Sequence, residues 1–131
     1  MDIFTKEKRS EIMRKVRNKN TNIELLLRKE LFRRGYRYKI KNNQFGKPDF
    51  IFLNQKVAVF CDGDFWHGKN YRKEKKNYKK FWKDKIKLNM KRDILVNRNL
   101  KKEGWTVLRF WKTDILKNLL ECADSLEKAL R

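Results

Sequence analysis

The stretch GKPDFIFLNQKVAVFCDGDFWHG, residues 46–68, decides the fold of this chain. It contains two apolar runs, residues 49–53 and 56–61, joined by Asn54-Gln55, which is the pattern of a β-hairpin. The second run leads directly into a segment rich in acidic and aromatic residues. The stretch therefore predicts two adjacent buried strands, followed by a loop that carries chemically active side chains.

Helical periodicity flanks this hairpin on both sides in the sequence. The predicted helices are residues 6–17, 21–34, 79–103 and 114–130, and the predicted further strands are residues 36–40 and 105–111. Gly35 and Gly104 are placed to end the second and third helices, and Thr113 to cap the last. At 131 residues the chain has room for one domain. The order predicts an α/β domain of three layers, a short mixed sheet flanked by helices.

The charge balance points to a polyanionic partner. Lys and Arg number 36 against 16 Asp and Glu, a net charge of +20, while 40% of residues are hydrophobic. A foldable domain with this excess is typical of proteins that bind nucleic acid. No apolar run is long enough to span a membrane. Residues 1–10 lack the apolar core of an export signal, so we expect a cytoplasmic protein with reduced thiols.

Asp49 and Asp62 stand at the two ends of the predicted hairpin. An acid before an apolar strand is either a turn residue or a ligand, and Pro48-Asp49 is common turn chemistry. In a hairpin the start of one strand lies beside the end of the other, so the two carboxylates are expected close together. Such a pair requires a proton or a cation between its members. Mg²⁺ is the cation that suits one or two carboxylates together with phosphate oxygens.

Asp93 lies on the face of its predicted helix that should contact the protein. Six residues of that helix fall within about 40° of one line at the 3.6-residue period. They are Trp82, Ile86, Asn89, Asp93, Val96 and Leu100. A buried acid needs a partner, either His67, the only histidine, or one of the many basic side chains. A His–Asp pair would suit a general base that activates water.

Glu24 has two possible roles. It occupies the last position of the capping box Thr21-Asn22-Ile23-Glu24, which is a complete structural explanation. It also lies at the edge of an apolar helical stripe, from which it could reach a site through a water molecule. Glu30 lies nearer the middle of that stripe and is a rival.

With these residues collected, the sequence resembles the very short patch repair endonucleases, which nick DNA beside a T:G mismatch, and the related homing-type nucleases with a Glu, Asp, His and Asp active site. The similarity runs from RSEIMR at residues 9–14 to GWTVL at residues 104–108. Its most specific parts are GKPDF at residues 46–50 and GDFWH at residues 63–67. It implies a restriction-endonuclease-like core with an N-terminal helical arm, residues 1–20, that contacts DNA.

The resemblance also implies roles for the site residues. Asp49 would be the main metal ligand and the backbone carbonyl of Cys61 a second, with Mg²⁺ as the cofactor. Asp62 stands where the repair enzymes usually have histidine and could hold metal-bound water. His67 would be the general base, oriented by Asp93, and Glu24 would bind metal water.

Three apolar residues match family positions that wedge into the base stack. These are Met13, Phe65 and Trp66, and the alternative for the last two is ordinary core packing. Unstacking costs a few kcal/mol and costs least where pairing is already poor. Arg14, beside Met13, is also expected to contact DNA.

The sequence departs from the family at a metal site. The repair enzymes usually hold a structural zinc with Cys and His residues around this loop. The matching positions here are Asp64, Lys69, Tyr71 and Thr113, so we expect no zinc, and a loop held by packing of Phe65, Trp66 and Tyr71.

A basic stretch follows the loop. Among its residues we expect phosphate contacts from Lys73, Lys75, Lys76, Lys79 and Lys80, individually weak and collectively large. A solvated helix face is the default alternative for such a run.

The predicted activity is metal-dependent nicking of duplex DNA, beside a T:G mismatch. One alternative is a free-standing nicking or homing-type nuclease that reads an intact site, and another is a non-catalytic basic DNA-binding protein. One nick needs one active site, so a monomer located at the nucleoid is the simpler expectation. Beyond DNA, we consider other DNA repair proteins as a class of partner.

Overall fold

The computed structural model describes residues 23–131. The predicted helix 6–17, the arm 1–20, Met13, Arg14 and the Thr21 cap lie outside these residues. Eight regular elements follow, apart from one short 3₁₀ turn at Lys75–Asn77. They are α1 (Ile23–Arg33), β1 (Phe50–Phe52), β2 (Val57–Asp62), α2 (Tyr71–Glu74), α3 (Lys80–Lys102), β3 (Thr106–Trp111), α4 (Lys112–Lys117) and α5 (Leu119–Leu130).

The three strands form one mixed sheet in the order β1-β2-β3. β1 runs antiparallel to β2, with Phe52 opposite Val57, and β3 runs parallel to β2, with Asp62 opposite Trp111. β2 is the central strand and all of its residues are buried. The predicted short mixed sheet flanked by helices is therefore confirmed.

Alternating side chains of β2 divide the core into two clusters. Val57, Val59 and Cys61 face a cluster built with α1, α4 and α5. Ala58 and Phe60 face the opposite cluster, built with α3. Because successive strand residues point to opposite faces, the sheet is covered on both sides and forms the middle of three layers.

The predicted apolar stripe of α3 is the face that packs on the sheet. Ile86, Val96 and Leu100 are buried along it. Asp93 belongs to the same stripe and its side chain is only 19% exposed. Gly104, with φ of +91°, follows the helix in the left-handed conformation that glycine supplies at a helix end.

The predicted strand at residues 36–40 is wrong. Only Lys39 pairs, in an isolated antiparallel bridge with Ile51 of β1. Beyond it the Asn42 side chain donates hydrogen bonds to the carbonyls of Ile40 and Pro48. These bonds close the chain into a polar loop, so the backbone leaves the edge of β1 after one pair.

Three other boundaries differ from the sequence expectation. The hairpin connection includes Lys56, at φ +55°, because the ladder already ends at Phe52 and Val57. The last helix is two helices, broken at Asn118. Thr113 is not a cap but lies within α4.

Cys61 and Cys122 are both buried free thiols. Among residues 23–131, no helix combines the length and apolar character needed to cross a bilayer.

Candidate active site

A cleft of about 340 Å³ opens where the end of β2 meets α3. It is bounded by the loop before β1, the end of β2, the loop after it, α3 and β3. Its lining residues are Gly46, Lys47, Asp49, Phe60, Cys61, Asp62, His67, Asn89, Arg92, Asp93, Val96 and Arg109. Asp49, Asp62, His67 and Asp93 therefore lie around one cleft.

Asp49 is held at the mouth of β1 by the neighbouring strand. Its amide donates to the carbonyl of Val59, 2.9 Å away, and its Oδ2 accepts from the amide of Cys61 at 2.6 Å. Ligand atoms of Glu24, Asp49 and Cys61 all lie within 4.8 Å of one another. Glu24 is buried on α1. The loop before β1, the strand β2 and the helix α1 therefore each contribute one member of this group.

The chemistry of this first group suits a hard cation held by oxygen. Burial raises the pKa of the Cys61 thiol above its usual range, with the Asp49 charge contributing. The sulfur is therefore a neutral thiol at physiological pH, and metals bind the thiolate. The carboxylates of Glu24 and Asp49 remain, and carboxylates are ligands that Mg²⁺ accepts.

His67 and Asp93 form a close pair between the loop after β2 and α3. The imidazole Nδ1 lies 2.6 Å from Asp93 Oδ2. A carboxylate only accepts hydrogen bonds, so Nδ1 carries the hydrogen and Nε2 is left with its lone pair. The hydrogen bond to Asp93 is the main reason that the pKa of His67 lies above its usual value. The pair is thus arranged as an oriented base.

Asp62 and Asp49 line the same cleft but belong to different groups of candidate ligands. Cys61 faces the α1 side of the sheet, and Asp62, the next residue along the strand, points to the α3 side. There it joins His67 and Asp93 in a second group, whose ligand atoms also lie within 4.8 Å of one another. The structure groups Asp49 with Glu24 and Cys61, and Asp62 with His67 and Asp93. The expected close approach of the Asp49 and Asp62 carboxylates stays a prediction.

Arg109 was missed by the sequence reading. It lies on β3, opposite Phe60 in the parallel ladder, and its Nη1 donates to Asp62 Oδ1 and Oδ2 at 3.0 and 3.2 Å. The same Nη1 lies 3.5 Å from Asp93 Oδ1. Burial raises the pKa of Asp62 and Arg109 opposes that shift. In the sequence, Arg109 is a charged residue between the apolar Leu108 and Phe110 of a predicted strand. That pattern could have indicated a site residue.

Glu30, the alternative to Glu24 as a site residue, does not join the candidate site. It bonds Arg33 and Arg34, whose guanidinium groups lie 2.7 and 2.8 Å away. The hydrogen bond from Arg33 is the main cause that lowers the pKa of Glu30 to about 2. Its carboxylate therefore serves an ion-pair network at the far end of α1.

Phe65 and Trp66 are not core residues, being 40% and 44% exposed. Their rings contact each other and both contact Trp82 near the start of α3, with centroid distances of 5.1 to 6.0 Å. Phe65 also meets Tyr78. The two rings are thus half-exposed beside the cleft and pack on the aromatic rings of Trp82 and Tyr78.

Hydrogen bonds join the loop to the start of α4 at the positions that match the expected zinc ligands of the family. Thr113 donates from its hydroxyl to Asp64, and Lys69 Nζ donates to Thr113 Oγ1 at 3.1 Å. Tyr71 is buried and packs near Tyr78. The loop that carries His67 is therefore anchored to the junction of β3 and α4 by polar contacts as well as by the expected aromatic packing.

The basic stretch is exposed from the loop into the start of α3. Its five expected phosphate contacts are Lys73, Lys75, Lys76, Lys79 and Lys80, and all of them are exposed. Lys47 and Arg92 line the cleft itself, and the sequence reading did not single them out.

Comparison with known proteins shows which family the chain matches. The model of the family "DNA mismatch endonuclease Vsr" matches residues 1–73. The chain belongs to the Vsr family. Its restriction-endonuclease-like core accounts for the mixed sheet and the cleft at the end of β2.

Relatives of this Vsr-family chain match along most of its length. The type II nicking enzyme V.NmeDIP of Neisseria meningitidis serogroup C is 45% identical, over 100% of this chain and 91% of the relative. V.HpaIIP of Haemophilus parainfluenzae, also a type II nicking enzyme, is 44% identical over 99% of this chain and 96% of its own length. The DNA mismatch endonuclease Vsr of Escherichia coli K12 is 31% identical over 70% of this chain and 61% of its own.

Proposed function

We propose that this Vsr-family chain is a Mg²⁺-dependent endonuclease that nicks one strand of duplex DNA beside a T:G mismatch. The observation that carries the proposal is a cleft lined both by the oriented base His67–Asp93 and by Asp49. Relatives named as nicking enzymes and as a mismatch endonuclease support the reaction and the substrate.

The proton transfer is assigned to His67. A water oxygen attacks phosphorus as Nε2 of His67 takes up one proton of that water, and the bridging P–O bond breaks. The departing oxygen takes a proton from solvent, which leaves one phosphate end and one hydroxyl end. Asp93 holds the imidazole by Nδ1, which keeps Nε2 directed away from α3 and stabilises the imidazolium that forms. After the step, His67 carries a proton that it can return to solvent.

Glu24 and Asp49 are the residues that would hold the metal, together with the backbone carbonyl of Cys61. Mg²⁺ bound there supplies Lewis-acid polarisation of the scissile phosphate. Asp49 is fixed for this task by the Cys61 amide, which occupies one carboxylate oxygen. Asp62 is not proposed as a ligand, because both of its oxygens accept from Arg109.

The surface around the cleft fits a DNA duplex. The exposed lysines after the loop would contact phosphates without reading sequence. Phe65 and Trp66, together with Met13 of the N-terminal arm, would enter the base stack, where a T:G pair costs least to unstack. One cleft makes one nick, so we expect a monomer acting at the nucleoid.

The decisive assay measures nicking of a labelled duplex with one T:G pair in the presence of Mg²⁺. D49N and H67A should each lose about 100-fold or more in rate, as expected for a lost ligand or general base. Their DNA affinity, measured by gel shift, should stay within a few-fold of wild type. D84N is the matched control, because Asp84 is exposed on α3. Retained nicking in both site variants would overturn the proposal.

The substrate is decided in the same assay with other duplexes. We expect faster nicking of T:G than of other mismatches or of fully paired DNA. Equal rates on paired DNA would instead favour the site-specific nicking alternative. Binding without cleavage under any divalent cation would favour the non-catalytic DNA-binding protein.

A further inference from the structure

Two groups of candidate ligands contribute residues to the cleft, and an arginine of the chain lies against the second of them. The second group consists of Asp62, His67 and Asp93, with ligand atoms within 4.8 Å of one another. In this group the guanidinium of Arg109 already lies against both carboxylates, at 3.0 Å from Asp62 and 3.5 Å from Asp93. Two carboxylates this close require a proton or a cation between them, and here the protein supplies a cation.

Arg109 is held from three directions. Its Nε donates to Asn97 Oδ1 on α3 at 2.7 Å, and its guanidinium carbon lies 4.0 Å from the ring centroid of Phe60. The side chain is only 17% exposed. An arginine does not lose its proton in a protein, so this cation is permanent and its position is set by β2, β3 and α3 together.

We propose that the Arg109 guanidinium fills the cation position of the Asp62/His67/Asp93 group and thereby confines divalent metal binding to the neighbouring group of Glu24 and Asp49. This rests on the proposed function for the identity of the metal. The guanidinium also leaves His67 available as a base, since a metal at the second group would compete for its imidazole.

The test counts Mn²⁺ ions bound per chain by equilibrium dialysis in the absence of DNA. R109M and R109Q remove the charge with side chains of similar length, and each should bind one Mn²⁺ more than wild type. R109K keeps the charge and should match wild type. Adding D62N to R109M should remove the extra ion, because Asp62 supplies a ligand for it.

A second measurement counts Mn²⁺ ions in a variant that keeps Arg109. D62N alone should leave the Mn²⁺ count unchanged, because Asp62 is occupied by Arg109. An ion lost in D62N would overturn the proposal, and so would an unchanged count in both R109M and R109Q. These counts need no catalysis, so they can fail while D49N and H67A still abolish nicking, or hold while the nicking assay fails.

Discussion

The imidazole of His67 is shared between two neighbours of unequal strength. Asp93 accepts its Nδ1 hydrogen at 2.6 Å, whereas Asp62 lies 3.9 Å from the same nitrogen. The hydrogen bond to Asp93 favours the imidazolium and raises the pKa of His67, while burial acts in the opposite direction. The tautomer and the basicity of this residue are therefore set by one carboxylate on α3.

Replacing Asp93 by Asn should lower the pKa of His67. The chain has one histidine, so NMR titration of metal-free protein gives a single imidazole titration curve. Its midpoint should lie above the ordinary value in wild type and move to lower pH in D93N, with D84N unchanged. An unshifted midpoint in D93N would contradict the hydrogen bond as the main cause.

The same pKa shift predicts a pH-dependent stability difference. A pKa that is higher in the folded than in the unfolded state adds stability that is fully present below the unfolded value, about 6.5. That stability is lost as pH rises through the folded value. Urea unfolding should therefore separate wild type from D93N more at pH 5.5 than at pH 8.5.

At the scale of elements, the loop before β1 is fitted against α3 at Gly46. A Cβ there would lie 2.7 Å from Cγ2 of Val96, and φ is +78°. Val96 is buried and β-branched, so its side chain has little freedom to move away. The fit fixes the loop that delivers Asp49 to the cleft.

G46A should lower the free energy of unfolding by about 2–4 kcal/mol, from backbone strain and overpacking combined. G35A is the matched control, since Gly35 also has a positive φ, +98°, but open space around it. It should cost only about 1 kcal/mol. Introducing G46A into V96A should then cost no more than G35A does, and a cost that stays high would contradict the steric explanation.

The contact between the His67 loop and the start of α4 also operates at the scale of elements. T113V removes the hydroxyl that joins Asp64 and Lys69, at an expected loss of about 1 kcal/mol. Nicking should fall as well, because the loop positions His67. T113S keeps the hydroxyl and should keep both the stability and the nicking rate. Equal stability and equal nicking of T113V and T113S would contradict a role for this contact.

For the molecule as a whole, the net charge of +20 is distributed so that exposed lysines lie beside the cleft. Binding of such a surface to DNA releases counterions, and log K falls with log salt by about 0.9 per phosphate contact. The slope therefore counts the lysines that touch the duplex.

The variant K75Q/K76Q/K79Q should reduce that slope by about 2–3. The control K101Q/K102Q/K128Q removes the same charge from exposed positions at the far end of α3 and on α5. Lys101 and Lys102 lie about 30 Å from the start of α3. Fluorescence anisotropy at several salt concentrations measures both, and equal slopes would show that net charge alone governs binding.

Much of this molecule was predictable from local patterns. The hairpin followed from two apolar runs, and the inward position of Asp93 from the phase of one helix, because both depend on spacings of a few residues. The strand at residues 36–40 was not predictable, since pairing there ends when Asn42 redirects the backbone.

The sequence by itself determined the α/β layering, the basic surface and the placement of Asp49, His67 and Asp93 around one site. Only the tertiary structure decided that Asp62 joins His67 and Asp93 and meets Arg109 of β3. Which side chains share a face depends on strand order and parallel register across distant segments. Those pairings arise when the sheet packs between its helices, and no short-range pattern in the chain encodes them.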